Sequence, residues 1–194
     1  QAGARIGSTN STNLTISNSF YSKGVFWTAG ENSTATRNLT IDCSPSFSIV
    51  RIVGGGIELK NTGAGSRFIF GTTATNRNTK FILENAEIRL GNAGQGFQMQ
   101  SVSLSIKDGA LAGSAITEFI KTFSAVAADV DVYGLNMASA ATGMNLLAAN
   151  LNGVGQLKFD SCKMPAGWTG GIFSGSALMH SGLKALMINC DSAD

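Results

Sequence analysis

Carboxylate pairs are the sharpest candidates for chemistry in this sequence. Glu84 stands three residues before Glu87, Asp129 two before Asp131, and Asp160 follows further along the chain. Cleavage of a glycosidic bond needs one carboxyl as acid and a second as base or nucleophile, about 5–10 Å apart across the bond. Asp129 and Asp131 share a face if their segment is extended. Yet the chain carries 12 acidic residues in all, scattered along its length, and near pairs then arise by chance. The expectation is a solvated ladder of charges, with no catalytic residue among them.

The other reactive side chains are isolated. His180 is the single histidine, so no His cluster can hold zinc, and nothing marks partners for a Ser-His-Asp arrangement. Cys43, Cys162 and Cys190 have neither zinc-knuckle nor disulfide-framework spacing and are expected as small buried thiols at turns. In the repeat described below, Cys43 and Cys190 take the same slot and Cys162 the next. The acidic residues lack the oxygen-ligand spacing of a calcium loop. Gly54-Gly55-Gly56 is followed by no Gly-Lys-Ser/Thr, so a corner is expected there and not a phosphate cradle. Neither metal nor cofactor is expected.

What must position any site is set by composition. The 194 residues suit one domain with a real core. A net charge of +2 with 13% charged residues gives no basic face for nucleic acid. Apolar runs are too short to cross a membrane as a helix. The 24 glycines, two prolines and many Asn, Ser and Thr residues, against 43% hydrophobic residues, indicate tight corners around a buried interior. Because the chain opens at Gln1, it is expected to be a piece of something longer.

A short pattern then recurs about eight times: two apolar residues flanking one variable residue, followed by a polar, turn-prone pair. The copies begin at Leu14, Leu39, Ile57, Phe81, Leu104, Val130, Leu157 and Leu186. A repeat of about 20–30 residues, each copy a strand ending in a turn, predicts a stacked solenoid. The expected fold is therefore all-β, a right-handed parallel β-helix of about eight coils. Residues 1–12 form a polar lead-in and 13–194 one domain that continues into further chain or is capped by a partner. First and third residues of each copy face inward, and fourth residues (Asp42, Lys60, Glu84, Lys107, Tyr133, Asp160, Asn189 among them) face out. Charges from Asp42 to Lys107 alternate in sign, so stacked neighbours would attract. Residues 116–128 and 138–151 are alanine-rich and read as short helices or as further sides of the coil.

Large apolar residues outside the repeat slots include Phe20, Phe26, Trp27, Phe97, Met99, Trp168, Phe173 and Met179. A slim interior would not hold them all, which nominates Trp27, Trp168, Phe173 and Met179 as protein-contact residues. The two tryptophans could alternatively stack on sugar rings.

Segments such as Asn13-Leu14-Thr15-Ile16-Ser17-Asn18 and Phe81-Ile82-Leu83-Glu84-Asn85-Ala86-Glu87-Ile88 resemble coils of pectate-lyase-like right-handed parallel β-helices. The Gly/Asn/Thr-rich texture and the ending Leu186-Met187-Ile188-Asn189-Cys190-Asp191-Ser192 resemble bacteriophage virion proteins built on that fold. The resemblance implies a homotrimer. It implies either a capsid cement or decoration protein that clamps the major capsid protein on the virion exterior, or a tailspike that binds or cleaves host polysaccharide. Tailspikes carry an acidic, aromatic groove for which this chain has no matching motif. The cement role is therefore the expectation, with a tail-borne glycan binder as the alternative.

Overall fold

Residues 80–84, Lys-Phe-Ile-Leu-Glu, show how the sequence builds its walls. Phe81 and Leu83 are buried while Lys80, Ile82 and Glu84 face outward, the two-residue alternation of a strand with one wet side. The computed structural model describes residues 5–8, 12–16, 19–30, 34–43, 48–60, 65–71, 79–99, 102–122, 128–147, 154–174 and 184–192.

In chain order the strands are β1 (Arg5–Ser8), β2 (Thr12–Ile16), β3 (Phe20–Lys23), β4 (Phe26–Ala29), β5 (Leu39–Cys43), β6 (Ile49–Val53) and β7 (Gly56–Leu59). Then come β8 (Arg67–Phe70), β9 (Lys80–Glu84), β10 (Glu87–Leu90), β11 (Gly96–Met99), β12 (Ser103–Lys107), β13 (Ala110–Gly113) and β14 (Glu118–Thr122). The last are β15 (Ala128–Tyr133), β16 (Asn136–Ala140), β17 (Asn145–Leu147), β18 (Val154–Asp160), β19 (Lys163–Met164), β20 (Lys184–Ile188) and β21 (Asp191–Ser192). They enter three parallel sheets in strict rotation through β18. Sheet A runs β1-β4-β7-β10-β13-β16-β19-β21, sheet B β2-β5-β8-β11-β14-β17, and sheet C β3-β6-β9-β12-β15-β18-β20. The chain is a parallel β-solenoid, with no helix among the described residues.

Three details of the expected repeat change. Only the copies from Phe81 to Leu157 stack directly on one another, in sheet C, where Phe81, Leu104, Val130 and Leu157 form one inward column. Those at Leu14 and Leu39 belong to sheet B and that at Ile57 to sheet A, so the eight copies do not count turns, and complete turns are fewer than eight. The charge alternation from Asp42 through Lys60 to Glu84 consequently crosses three sheets, and of its steps only Glu84 to Lys107 joins register neighbours. The two alanine-rich stretches are further sides of the coil: their described parts form β14, the start of β15, β16 and β17.

The last copy is displaced by one residue. Leu157 pairs with Ala185 and Phe159 with Met187, so Leu186 and Ile188 fall on the outer face. A one-residue slip in a strand exchanges its two faces.

The corner from sheet C to sheet A repeats with little variation. Gly24, Gly54, Asn85, Asp108, Gly134, Ser161 and Asn189 occupy it in successive turns, each with φ between 48° and 69°. The left-handed region favours Gly, Asn and Asp. The N–H groups of the first six donate to carbonyls one turn on, from Gly24 to Val53 O at 2.9 Å through Ser161 to Ile188 O at 2.9 Å, so the ladder does not break at the bend. The expected glycine corner at 54–56 lies here: a Cβ on Gly55 would stand 2.3 Å from the Val25 carbonyl oxygen.

Aromatic rings fill the middle of the interior. Phe97 lies 5.9 Å from Phe68, 5.2 Å from Phe70 and 5.3 Å from Phe119 between ring centroids, and Phe70 lies 4.6 Å from Phe81. All five are fully buried. Such packing adds edge and offset contacts to the burial of apolar area.

Candidate functional site: the outer face of sheet C

Register places the outward residues of sheet C in rows along the solenoid. One row runs Tyr21, Arg51, Ile82, Ser105, Asp131, Lys158, Leu186. A second runs Lys23, Val53, Glu84, Lys107, Tyr133, Asp160, Ile188. A third holds Ile49, Lys80, Ser103, Asp129, Gln156 and Lys184. The candidate carboxylates Glu84, Asp129, Asp131 and Asp160 therefore share this face. Glu87 stands around the corner on sheet A.

Glu84, Glu87 and Asp160 are each held in an ion pair. Arg51 reaches diagonally to Glu84, donating from Nε at 3.0 Å and from Nη2 at 2.5 Å. That bond and the charge of Glu84 raise the Arg51 pKa. Lys158 Nζ lies 3.0 Å from Asp160 Oδ2, and the Ser161 hydroxyl donates to Asp160 Oδ1 at 3.0 Å. These two bonds, Lys158 first, hold the Asp160 carboxyl below its usual range. Lys158 is raised in return, mainly by Asp160 and to a smaller degree by Asp131, its register neighbour. On sheet A, Arg89 donates to both Glu87 oxygens at 2.8 and 2.7 Å, which lowers the Glu87 pKa. A general acid needs the opposite shift, since it must keep its proton near neutral pH. Asp129 and Asp131 do share an exposed face, as their spacing predicts.

Among the described residues no group of three His, Cys, Asp or Glu side chains is placed to hold a metal. His180 and Met179 lie outside the described residues. An open groove of about 550 Å³ runs along sheet A beside Glu58, Lys60, Arg89, Asn92 and Ser114. Its guanidinium is committed to Glu87, lies 3.7 Å from Glu58, and covers the Phe26 ring at 4.9 Å.

The exposed large hydrophobics among the described residues do not include Trp27, Trp168 or Phe173, three of the four that the sequence nominates as contacts. Trp27 is 3% exposed, with Nε1–H donated to Ser22 Oγ at 3.3 Å and its ring against Phe20. It belongs to the core. Trp168 and Phe173 are partly buried and pack on that core. Trp168 Nε1–H donates to the Met144 carbonyl at 2.8 Å, and Phe173 bridges Leu147 as a continuation of sheet B. Phe97 and Met99 are fully interior. Three sheets, each with an inward face, supply the room.

The exposed large hydrophobics among the described residues are Tyr21 (57%), Ile49, Tyr133, Leu186 (47%) and Ile188, and all five lie on the outer face of sheet C. Tyr21 and Ile49 gather at one end and Leu186 and Ile188 at the other, with Tyr133 two turns before Ile188 and a polar stretch between. The outward place of Tyr133 follows from the repeat. Comparison of the chain with protein-family models, with curated proteins and with solved structures finds no match. Sheet C is thus the face where exposed apolar and ion-paired residues coincide.

Proposed function

We propose that this chain is a non-enzymatic virion structural protein. In this reading it is a homotrimeric β-helix of the cement or decoration type that clamps major capsid subunits on the particle exterior. The observation that carries the reading is the concentration of exposed Tyr21, Ile49, Tyr133, Leu186 and Ile188 on one of three faces. A prism that offers one apolar-edged face per copy is suited to closing around a three-fold axis, leaving the other faces for a second partner. The ion pairing of Glu84, Glu87 and Asp160 supports a role without catalysis. The resemblance of its repeat to phage β-helices supports a virion setting.

Sedimentation equilibrium on the purified chain, paired with incubation on capsular and lipopolysaccharide glycans, tests this. A mass of three chains and no new reducing ends is the expected result. A monomer that shortens any of these glycans overturns the reading in favour of a tailspike.

A further inference from the structure

Cys162 and Cys190 occupy the same corner position in successive turns. Asp160 pairs with Ile188 on one side of them and Lys163 with Asp191 on the other, so the register carries through the corner and sets the two cysteines directly one above the other. This corrects the slot assignment from sequence, which grouped Cys190 with Cys43. Neighbouring parallel strands lie about 4.8 Å apart, inside the Cα separation of about 4.4–6.8 Å that a disulfide spans. Both thiols hold equivalent orientations. Cys162 Sγ lies 3.8 Å from Val132 O and 3.4 Å from Asp160 O. Cys190 Sγ lies 3.6 Å from Phe159 O and 3.3 Å from Ile188 O, the same contacts one turn on. Both are free thiols; Cys162 is buried and Cys190 partly exposed.

We propose that Cys162 and Cys190 form a disulfide modification site that staples the terminal turn, β20 and β21, to the turn beneath it. The inference stands on register alone and is independent of the virion reading. The oxidant is a low-molecular-weight disulfide such as oxidised glutathione. The accessible Cys190, as thiolate, attacks one glutathione sulfur and expels the first glutathione thiolate. Cys162 then gives up its proton, attacks Cys190 Sγ and expels the second. Two protein thiols and one glutathione disulfide become one protein disulfide and two reduced glutathiones. Burial, with the neighbouring Cys190 sulfur, pushes the Cys162 thiol up to about 11, so little of it is thiolate, Cys190 is the one to meet the oxidant, and the second step relies on Cys162 being held beside the mixed disulfide. The bond would tie down a strand whose outward Leu186 and Ile188 and whose inward Ala185 give it little burial of its own.

The test incubates the intact chain with oxidised glutathione, alkylates remaining thiols, digests with trypsin without reduction and maps the peptides. The expected product joins Phe159–Lys163 to the tryptic peptide that begins at Ala185, with a mass lower by two hydrogen atoms, and slows amide hydrogen exchange in residues 184–192. In Cys190→Ser the oxidant should leave that exchange unchanged. Separate alkylation of both thiols, stable glutathione adducts without ring closure, or linkage to Cys43 or to a second chain would each overturn the assignment.

Discussion

Leu186 lies beside Lys158 in adjacent parallel strands, and both side chains point away from the interior. The lysine keeps its ammonium on Asp160, so the leucine borders a charged pair on one side and solvent on the other. An apolar residue in that position, two residues before an equally outward Ile188, is free to meet another surface. In the proposed homotrimer, Leu186→Glu combined with Ile188→Lys should abolish association in sedimentation while changing unfolding free energy by less than about 0.5 kcal/mol, the usual range for surface substitutions. Retained association would place the interface elsewhere.

Phe97 holds the aromatic interior together, touching Phe68, Phe70 and Phe119 from three directions. Phe97→Ala should cost about 3–5 kcal/mol, read from the denaturant midpoint, because neighbours fixed on the adjacent strands β8 and β14 cannot collapse into the cavity.

The corner makes a paired prediction. Gly55 has φ of +64° and no room for a Cβ against Val25 O, so Gly55→Ala should destabilise by more than about 2 kcal/mol. Asn85, at φ 48°, needs only the left-handed region, and Asn85→Gly should change stability by less than about 0.5 kcal/mol. Thermal or chemical unfolding of both variants checks the contrast.

Acid should weaken the fold partly through Glu87. Arg89 holds its carboxyl below the ordinary value of 4.5, so the folded chain binds that proton less readily than the unfolded one. The contribution is complete above pH 4.5 and is lost as pH falls through the lowered folded value. Glu87→Gln should therefore flatten the fall in melting temperature across this window, measured by circular dichroism at successive pH values. An unchanged slope would mean that other carboxylates dominate.

Sheet C was legible because two local signals coincide there. Phe81–Asn85, Leu104–Asp108 and Val130–Gly134 each combine strand alternation with a residue suited to the left-handed corner, and Leu157–Ser161 keeps the alternation with Ser161 at the same corner. Sheet A carries weaker marks. Ala110-Leu111-Ala112-Gly113 offers one large apolar residue, and Asn136–Ala140 pairs with it across a register shift. The final strand misled because Ala185, Leu186, Met187 and Ile188 are all apolar, so periodicity alone cannot choose which pair faces inward. Asn189 was the better guide, since it fills the corner column beneath Ser161. Trp27 falls outside the repeat slots, yet sheet A gives it an inward place of its own. The clustering of exposed apolar residues on sheet C depends on which strands neighbour one another, and no short sequence window contains that information.

The most direct test of the structural-protein account is the position of this chain on intact virions, determined by cryo-electron microscopy. The account predicts trimeric density on the outside of the shell at three-fold and quasi-three-fold positions, with the apolar-edged faces of sheet C turned toward one another. Density confined to the tail would contradict it and would direct attention to Asp129, Asp131 and Asp160 as parts of a sugar-binding face.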